Sequence, residues 1–302
     1  METLMTDRIR ESELILNSDG SIYHLNLLPE DIADTIILVG DPNRVKQVSR
    51  YFDRIEVEKT KREFVTHTGV IGHHRFTVVG TGIGGGNIDI TMNELDALVN
   101  IDLKNRVIKK EHKALRFVRL GTSGSLQENI PVDSLLISSF GIGLDGLVSY
   151  YEWKNNEDEK QLLALCHEKF VSLQSAQAMY VASGSSELIA LFQKNKVGYA
   201  GITLTCPGFY GAQYRHLRAP LVDQDIFAMA ENVLFKNQRI TNLEMETAAI
   251  YGLARILNHK ACSISAIIAN RYSHTFSKDP EKVVDEMIKK VLEILTVSNK
   301  IQ

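Results

Sequence analysis

The stretch Ile36-Ile37-Leu38-Val39, running straight into Gly40-Asp41-Pro42-Asn43-Arg44, sets the reading of the chain. Four consecutive apolar residues ending at glycine predict a short buried strand. Val45, Val48 and Phe52 then recur at helical spacing, and Pro42 suits the first helical turn, where its missing N–H costs nothing. The same unit returns twice. Arg75–Val79 reads as a strand ending at Gly80-Thr81-Gly82-Ile83-Gly84-Gly85-Gly86, followed by a helix with Ile88, Met92, Leu95 and Val99 on one face. Arg116–Leu120 reads as a third strand, with Gly121-Thr122-Ser123-Gly124-Ser125 as its loop. Further along come a strand over 201–205, a helix around Glu246–Leu257, a buried strand across Ala261–Ala269, and a last helix from Asp279-Pro280. Strands alternating with helices predict an α/β fold.

Outward from these units, residues 1–22 are polar and read as an N-terminal arm, and residues 23–302 as one domain. No Ser/Pro/Gly-rich linker, repeat or low-complexity tract divides it, and the acidic stretch 155–160 reads as a solvated loop. With 34 Lys+Arg against 37 Asp+Glu the formal net charge is −3, which argues against a bulk nucleic-acid binder. No apolar run approaches the roughly 18 residues of a membrane span. The mixed-charge N-terminus lacks the pattern of an export signal. Cys166, Cys206 and Cys262 form no CxxC pair and no disulfide framework, so a reducing cytoplasm is the expected setting.

Three predicted strands end in glycine loops, at Gly40, Gly80 and Gly121. In open α/β folds ligands sit at the carboxyl ends of strands. Glycine lets backbone N–H groups approach an anion, and an arginine nearby supplies a planar fork for phosphate oxygens. Arg44 and Arg119 flank the first and third loops, so the physical inference is an anionic ligand, phosphate above all. Glycine turns also serve simply to reverse a chain. Residues 80–85, GTGIGG, match the dinucleotide fingerprint as well, with Asp102 about 20 residues on. That rival reading lacks a clear strand before Asp102. GTSGS (121–125) lacks the last glycine of a nucleophile elbow. His73-His74 falls in a predicted hairpin turn, and Cys206, before Pro207, has no evident base.

Taken in order, YHL (23–25), LVGDPNR (38–44), KREF (61–64), GTGIGG (80–85), RLGTSGS (119–125), FYGAQYR (209–215), NLEMET (242–247) and IANR (268–271) resemble the nucleoside phosphorylase-I family, and FYGAQYR resembles its pyrimidine branch. The resemblance spans residues 23–271. It implies a three-layer α/β/α domain around a central mixed sheet. It also implies reversible phosphorolysis of uridine to uracil and ribose 1-phosphate, with uridine and phosphate as small-molecule substrates. It implies a homo-oligomer, dimer or hexamer of dimers, with no nucleic acid, membrane, metal or organic cofactor involved.

Carried over residue by residue, the resemblance gives Gly40, Arg44, Arg119 and Thr122 to phosphate, joined by Arg62 from a neighbouring subunit. Phe209 would stack near the base, with Gln213 and Arg215 on the uracil edge. Glu244, Met245 and Glu246 would line the ribose, Ser123 and Gly124 would sit by ribose and base, and His24 of a partner chain would reach the 5′-hydroxyl. Arg119, Gln213, Arg215 and Glu246 are the expected catalytic residues. Asn270 stands where purine-cleaving members use an aspartate to protonate the base, which favours a pyrimidine, and Arg271 is expected to support the base site. Asn87 stands where some members place a serine near an interface cation, so no cation is assigned.

The residue types fit this chemistry. Phosphorolysis cleaves a C–N bond through an oxocarbenium-like transition state. Two or three arginines can hold phosphate under the anomeric carbon. Gln213 and Arg215 are donors for charge on the departing base, extended-strand geometry predicting that they share one face. Broader pyrimidine nucleoside specificity, and a catalytically silent nucleoside-binding homologue, are the competing readings. Met245 as an ordinary core residue, and Glu244 as a helix-start carboxylate, are the structural alternatives.

Overall fold

Strand β1 (Thr35–Val39) is buried along its whole length because helices cover both of its faces. In the computed structural model, which describes residues 8–170, 178–222 and 226–298, alternate residues of β1 feed two separate cores. Ile36 and Leu38 enter one, Ile37 and Val39 the other.

After β1, the chain runs through α1 (Pro42–Ser49), β2 (Arg54–Lys61), β3 (Phe64–Ile71), β4 (His74–Gly80) and α2 (Gly85–Asn100). Asp41 caps α1 by accepting from the Asn43 N–H, with Pro42 in the first turn as expected. His73 lies in the turn between β3 and β4, as predicted. A small ladder of β5 (Ile101–Asp102) and β6 (Val107–Ile108) precedes β7 (Arg116–Ser125) and β8 (Leu135–Gly143). Then come α3 (Glu157–Lys169), β9 (Tyr180–Ser183), α4 (Ser186–Lys194), β10 (Tyr199–Thr205), α5 (Ile226–Glu231), β11 (Leu234–Phe235) and β12 (Gln238–Glu244). The described chain closes with α6 (Thr247–Ile256), β13 (Lys260–Asn270), β14 (Thr275–Phe276) and α7 (Pro280–Ser298).

The sheet is mixed, in the order β11-β12-β10-β8-β13-β7-β1-β4-β3-β2. β1 runs parallel to β4 and β7, while β2, β3 and β4 form an antiparallel meander. Apolar residues of α2 and α6 fill the core on one face, and those of α1, α4 and α7 the core on the other. The domain is therefore the expected three-layer α/β/α sandwich. β12 also pairs antiparallel with the far end of β7, closing β12, β10, β8, β13 and β7 on themselves.

Two local expectations are corrected. Residues 121–125 are not a loop: β7 continues through them, because β13 pairs alongside from Gly121 to Ser125 and β12 meets Gly124 and Ser125. Residues 155–160 are not a solvated loop either. Asn156 and Glu159 form a reciprocal capping box that starts α3. Glu159 is fully buried, accepting from the Ser183 N–H and Oγ and pairing with Arg255. Within the 1–22 stretch, Leu14 and Ile22 are buried in the core that holds α2, and residues 1–7 lie outside the described residues.

Candidate active site

The carboxyl ends of β1, β4, β7 and β12 open into one cavity of about 640 Å³. Gly40, Arg44, Arg119, Thr122, Ser123, Gly124, Phe209, Gln213, Arg215, Glu244, Met245 and Glu246 all line it. Twelve assigned residues, from four separate motifs (38–44, 119–125, 209–215 and 242–247), are thus brought together by the topology.

Arg119 is the centre of the buried charge. Its Nη2 donates to Glu246 Oε2 at 2.6 Å and lies 3.0 Å from Glu244 Oε2. Its Nη1 reaches toward the Ser263 and Ser265 hydroxyls on β13. Burial works against the guanidinium's charge, but Glu244 and Glu246 outweigh it and hold its pKa above the ordinary value. Gly121 makes this placement possible: a Cβ there would lie 2.1 Å from Arg119 Nη1.

Arg44, at the start of α1, turns back toward β7, and its Nη1 donates to the Leu120 carbonyl at 3.3 Å. Its buried Nε has no hydrogen-bond partner, and no described carboxylate forms an ion pair with it. Burial and the like charge of Arg119 both lower its pKa. A guanidinium left in that condition is a ready anion site.

Glu244 ends β12 and starts α6. Its carboxylate accepts from the Thr205 hydroxyl and from the N–H groups of Glu246 and Thr247. The helix-start role and the cavity-lining role therefore coexist. Glu246 accepts from Arg119 through Oε2 and from the Gly84 N–H through Oε1, at 2.7 Å. Gly84 caps α2 at φ 91°, a conformation open to glycine. Burial, reinforced by Glu244 and opposed by Arg119, raises the Glu246 carboxyl. Ser123 spends its hydroxyl on β12, donating to the Leu243 carbonyl and accepting from Asn242 Nδ2.

The segment 209–215 is not extended, so the alternate-residue argument for Gln213 and Arg215 is corrected. Gly211–Gln213 form a 3-10 turn and Tyr214 adopts φ 53°. That turn folds Arg215 back onto Gln213 Oε1 and the Phe209 carbonyl, with its guanidinium 3.8 Å over the Phe209 ring. Arg271 supports the turn from beneath, its guanidinium directed at the Gln213 and Tyr214 carbonyls and lying over the Phe227 ring.

Asn270 lies outside the cavity lining. Its amide donates to the Gln127 and Ile130 carbonyls and accepts from the Tyr272 and Ser273 N–H groups, so it is committed to the backbone. Cys206 is buried, and burial pushes its thiol up. The dinucleotide reading loses its support: the Gly84 N–H is taken by Glu246, and Asp102, half-buried at the end of the short strand β5 and outside the cavity lining, is bonded to Asn105.

His24 and Arg62 do not reach the cavity of their own chain. Arg62, in the turn between β2 and β3 at φ 54°, has its guanidinium over the Tyr23 ring, and His24 packs edge-on against that same ring. The two residues assigned to a neighbouring site therefore share one patch. Lining residues that the sequence reading did not assign include Glu63, Ile83, Ile268 and Phe276. Glu63 was findable beside Arg62 in KREF; Phe276 enters only because β14 folds back on the end of β13. Among the described residues no cluster of three or more His, Cys, Asp or Glu could hold a metal ion, and no helix is long and apolar enough to cross a membrane.

The site is thus a cavity at strand carboxyl ends of an α/β sheet, lined by Arg44 and Arg119 and by two buried glutamates. Residues 34–297 match the phosphorylase superfamily, and the chain belongs to that superfamily. It is similar to the uridine phosphorylase of Thermococcus kodakarensis, 28% identical over 296 residues covering 96% of this chain and 92% of that protein. A DeoD-type purine nucleoside phosphorylase of Buchnera aphidicola is 23% identical over 278 residues, covering 90% of this chain and 98% of that protein. Among solved structures, a Trypanosoma brucei nucleoside phosphorylase reported to show uridine phosphorylase activity matches with a TM-score of 0.85 at 26% identity. That match covers 94% of this chain and 99% of the other.

Proposed function

We propose that this protein is a uridine phosphorylase, converting uridine and phosphate reversibly into uracil and ribose 1-phosphate. The observation that carries the reading is the grouping, in one cavity, of two kinds of donor. Arg44 and Arg119 suit an anion, and Gln213 with Arg215, backed by Phe209, suits the polar edge of a pyrimidine. The name of the Thermococcus protein and the activity reported for the Trypanosoma one support the same choice.

In this mechanism Arg44, Arg119, Thr122 and the Gly40 backbone hold phosphate beneath the anomeric carbon. Glu246, Met245 and Glu244 receive the ribose, and the Glu246 carboxylate favours the cationic ring of the transition state. Ser123 and Gly124 form the floor between ribose and base. Gln213 and Arg215 donate to the uracil as its C–N bond breaks, and one preorganised donor of this kind is worth about 3 kcal/mol in the barrier. The partner's Arg62 adds a further phosphate contact and the partner's His24 the 5′-hydroxyl contact, so the working form is a homo-oligomer. The shared Tyr23 patch supports their joint delivery. The reaction needs no metal or organic cofactor, and the protein acts in the cytoplasm.

Absorbance-monitored cleavage of uridine, thymidine and inosine, each with and without phosphate, tests the reading. Phosphate-dependent loss of uridine with inosine untouched is expected. Cleavage without phosphate, or a preference for inosine, would overturn it.

A further inference from the structure

Glu94 lies in the second half of α2, away from the cavity, yet its carboxylate is fully engaged by the segment that carries His24. It accepts from the His24 N–H at 3.0 Å and the Leu25 N–H at 2.8 Å, and it lies 2.6 Å from His24 Nδ1. A carboxylate accepting two backbone N–H groups is an acceptor, so Nδ1 is the ring nitrogen that carries the proton toward it. The ring is further held between Tyr23, with centroids 4.8 Å apart, and Phe64 at 6.4 Å, both edge-on. Its side chain remains about a quarter exposed, at 27%. Nε2 is thereby left as the free face of the imidazole, unprotonated in the neutral ring.

We propose that Glu94 is a positioning residue for the reaction. It fixes the tautomer and orientation of His24 so that Nε2 accepts a hydrogen bond from the ribose 5′-hydroxyl held in the partner's cavity. This rests on the functional reading above. Glu94 touches no substrate and acts only through the histidine. Because α2 is also the helix whose Gly84 cap holds Glu246, one rigid element carries the supports for a ribose contact in its own cavity and for one in the partner's.

The test compares uridine with 5′-deoxyuridine, which lacks the hydroxyl, in the wild type, Glu94→Gln, His24→Ala and the double variant. In Glu94→Gln, kcat/KM for uridine should fall about tenfold, mainly through KM, the loss expected when a hydrogen bond to a charged group is removed. The value for 5′-deoxyuridine should move less than about twofold, and so should uridine when Glu94→Gln is added to His24→Ala. Equal losses on both substrates would overturn the positioning role while leaving the functional reading intact. A wild type that cleaves no uridine would overturn the functional reading, and the inference with it. Nitrogen-15 NMR of the wild-type imidazole gives an arm independent of whether the variant folds: an Nδ1–H tautomer is expected, and an Nε2–H tautomer would overturn the proposal.

Discussion

Nη2 of Arg119 donates to Oε2 of Glu246 across 2.6 Å, in a pocket where both side chains are more than nine-tenths shielded from water. Glu244 shares the same guanidinium, so two carboxylates divide one buried positive charge. The arrangement keeps a carboxylate buried at the cavity wall, at a cost to the fold.

That cost yields the first prediction. The folded state raises the Glu246 carboxyl, chiefly by burial. Folding therefore binds this proton more tightly than the unfolded chain does. The group's contribution favours the fold below the unfolded pKa and is lost as pH rises through the folded one. Glu246→Gln should be at least as stable as wild type at about pH 8, with its advantage shrinking toward about pH 4, while phosphorolysis falls about 100-fold. Melting curves across this range, with activity alongside, check both parts. A variant that loses stability uniformly at every pH would contradict the argument.

Gly121→Ala should disturb catalysis from a position that makes no substrate contact through a side chain. The new methyl would sit 2.1 Å from Arg119 Nη1, so the guanidinium must move. A loss of about 1–3 kcal/mol in stability is expected from the overpacking. A drop of about 100-fold in kcat/KM is expected from a displacement of about 1 Å at the site. Denaturant unfolding and steady-state kinetics measure the two.

Arg215→Ala should lower uridine turnover about 100-fold, since it removes a donor poised for the leaving base. Phosphate affinity should be unchanged, because Arg44 and Arg119 are untouched. A near-wild-type rate would remove Arg215 from the base site.

For Arg62→Ala the expected result is a phosphate KM raised about tenfold with the melting temperature unchanged, because Arg62 is exposed at a turn and makes only peripheral contacts with Tyr23. Mixing this variant with Arg44→Ala should restore activity if the site is shared, since a mixed pair pairs one intact Arg44 with one intact Arg62. Failure of mixed assemblies to recover activity would place Arg62 outside the site.

The three cysteines should be silent in the folded protein. Burial pushes the thiols of Cys166 and Cys262 up to about 12, and that of Cys206 upward as well. A thiol reagent at about pH 8 should react only after denaturation, then with three groups per chain. Prompt reaction of the native protein would show that one of these thiols is accessible.

The linear chain by itself determined much of this molecule. Apolar runs ending in glycine marked β1, β4 and the start of β7, and helical spacing marked α1, α2, α6 and α7, because periodicity and turn chemistry are local properties. The glycine loops beside Arg44 and Arg119 pointed to an anionic ligand, and the ordered motifs from 23 to 271 carried the resemblance to the family. What only the tertiary structure decided lies where distant segments meet. Residues 121–125 look like a loop in isolation and become strand because β13 and β12 supply partners for their backbone. Glu159 looks like surface charge and is buried because Arg255, nearly 100 residues on, and the Ser183 backbone complete its bonds. Gln213 and Arg215 converge through a 3-10 turn that Arg271 supports from another strand's end, not through extended geometry. Asn270, placed by its motif at the base, is instead consumed by four backbone groups. Each of these outcomes turns on satisfying a buried polar group with a partner far away in sequence, and no local pattern encodes that partner.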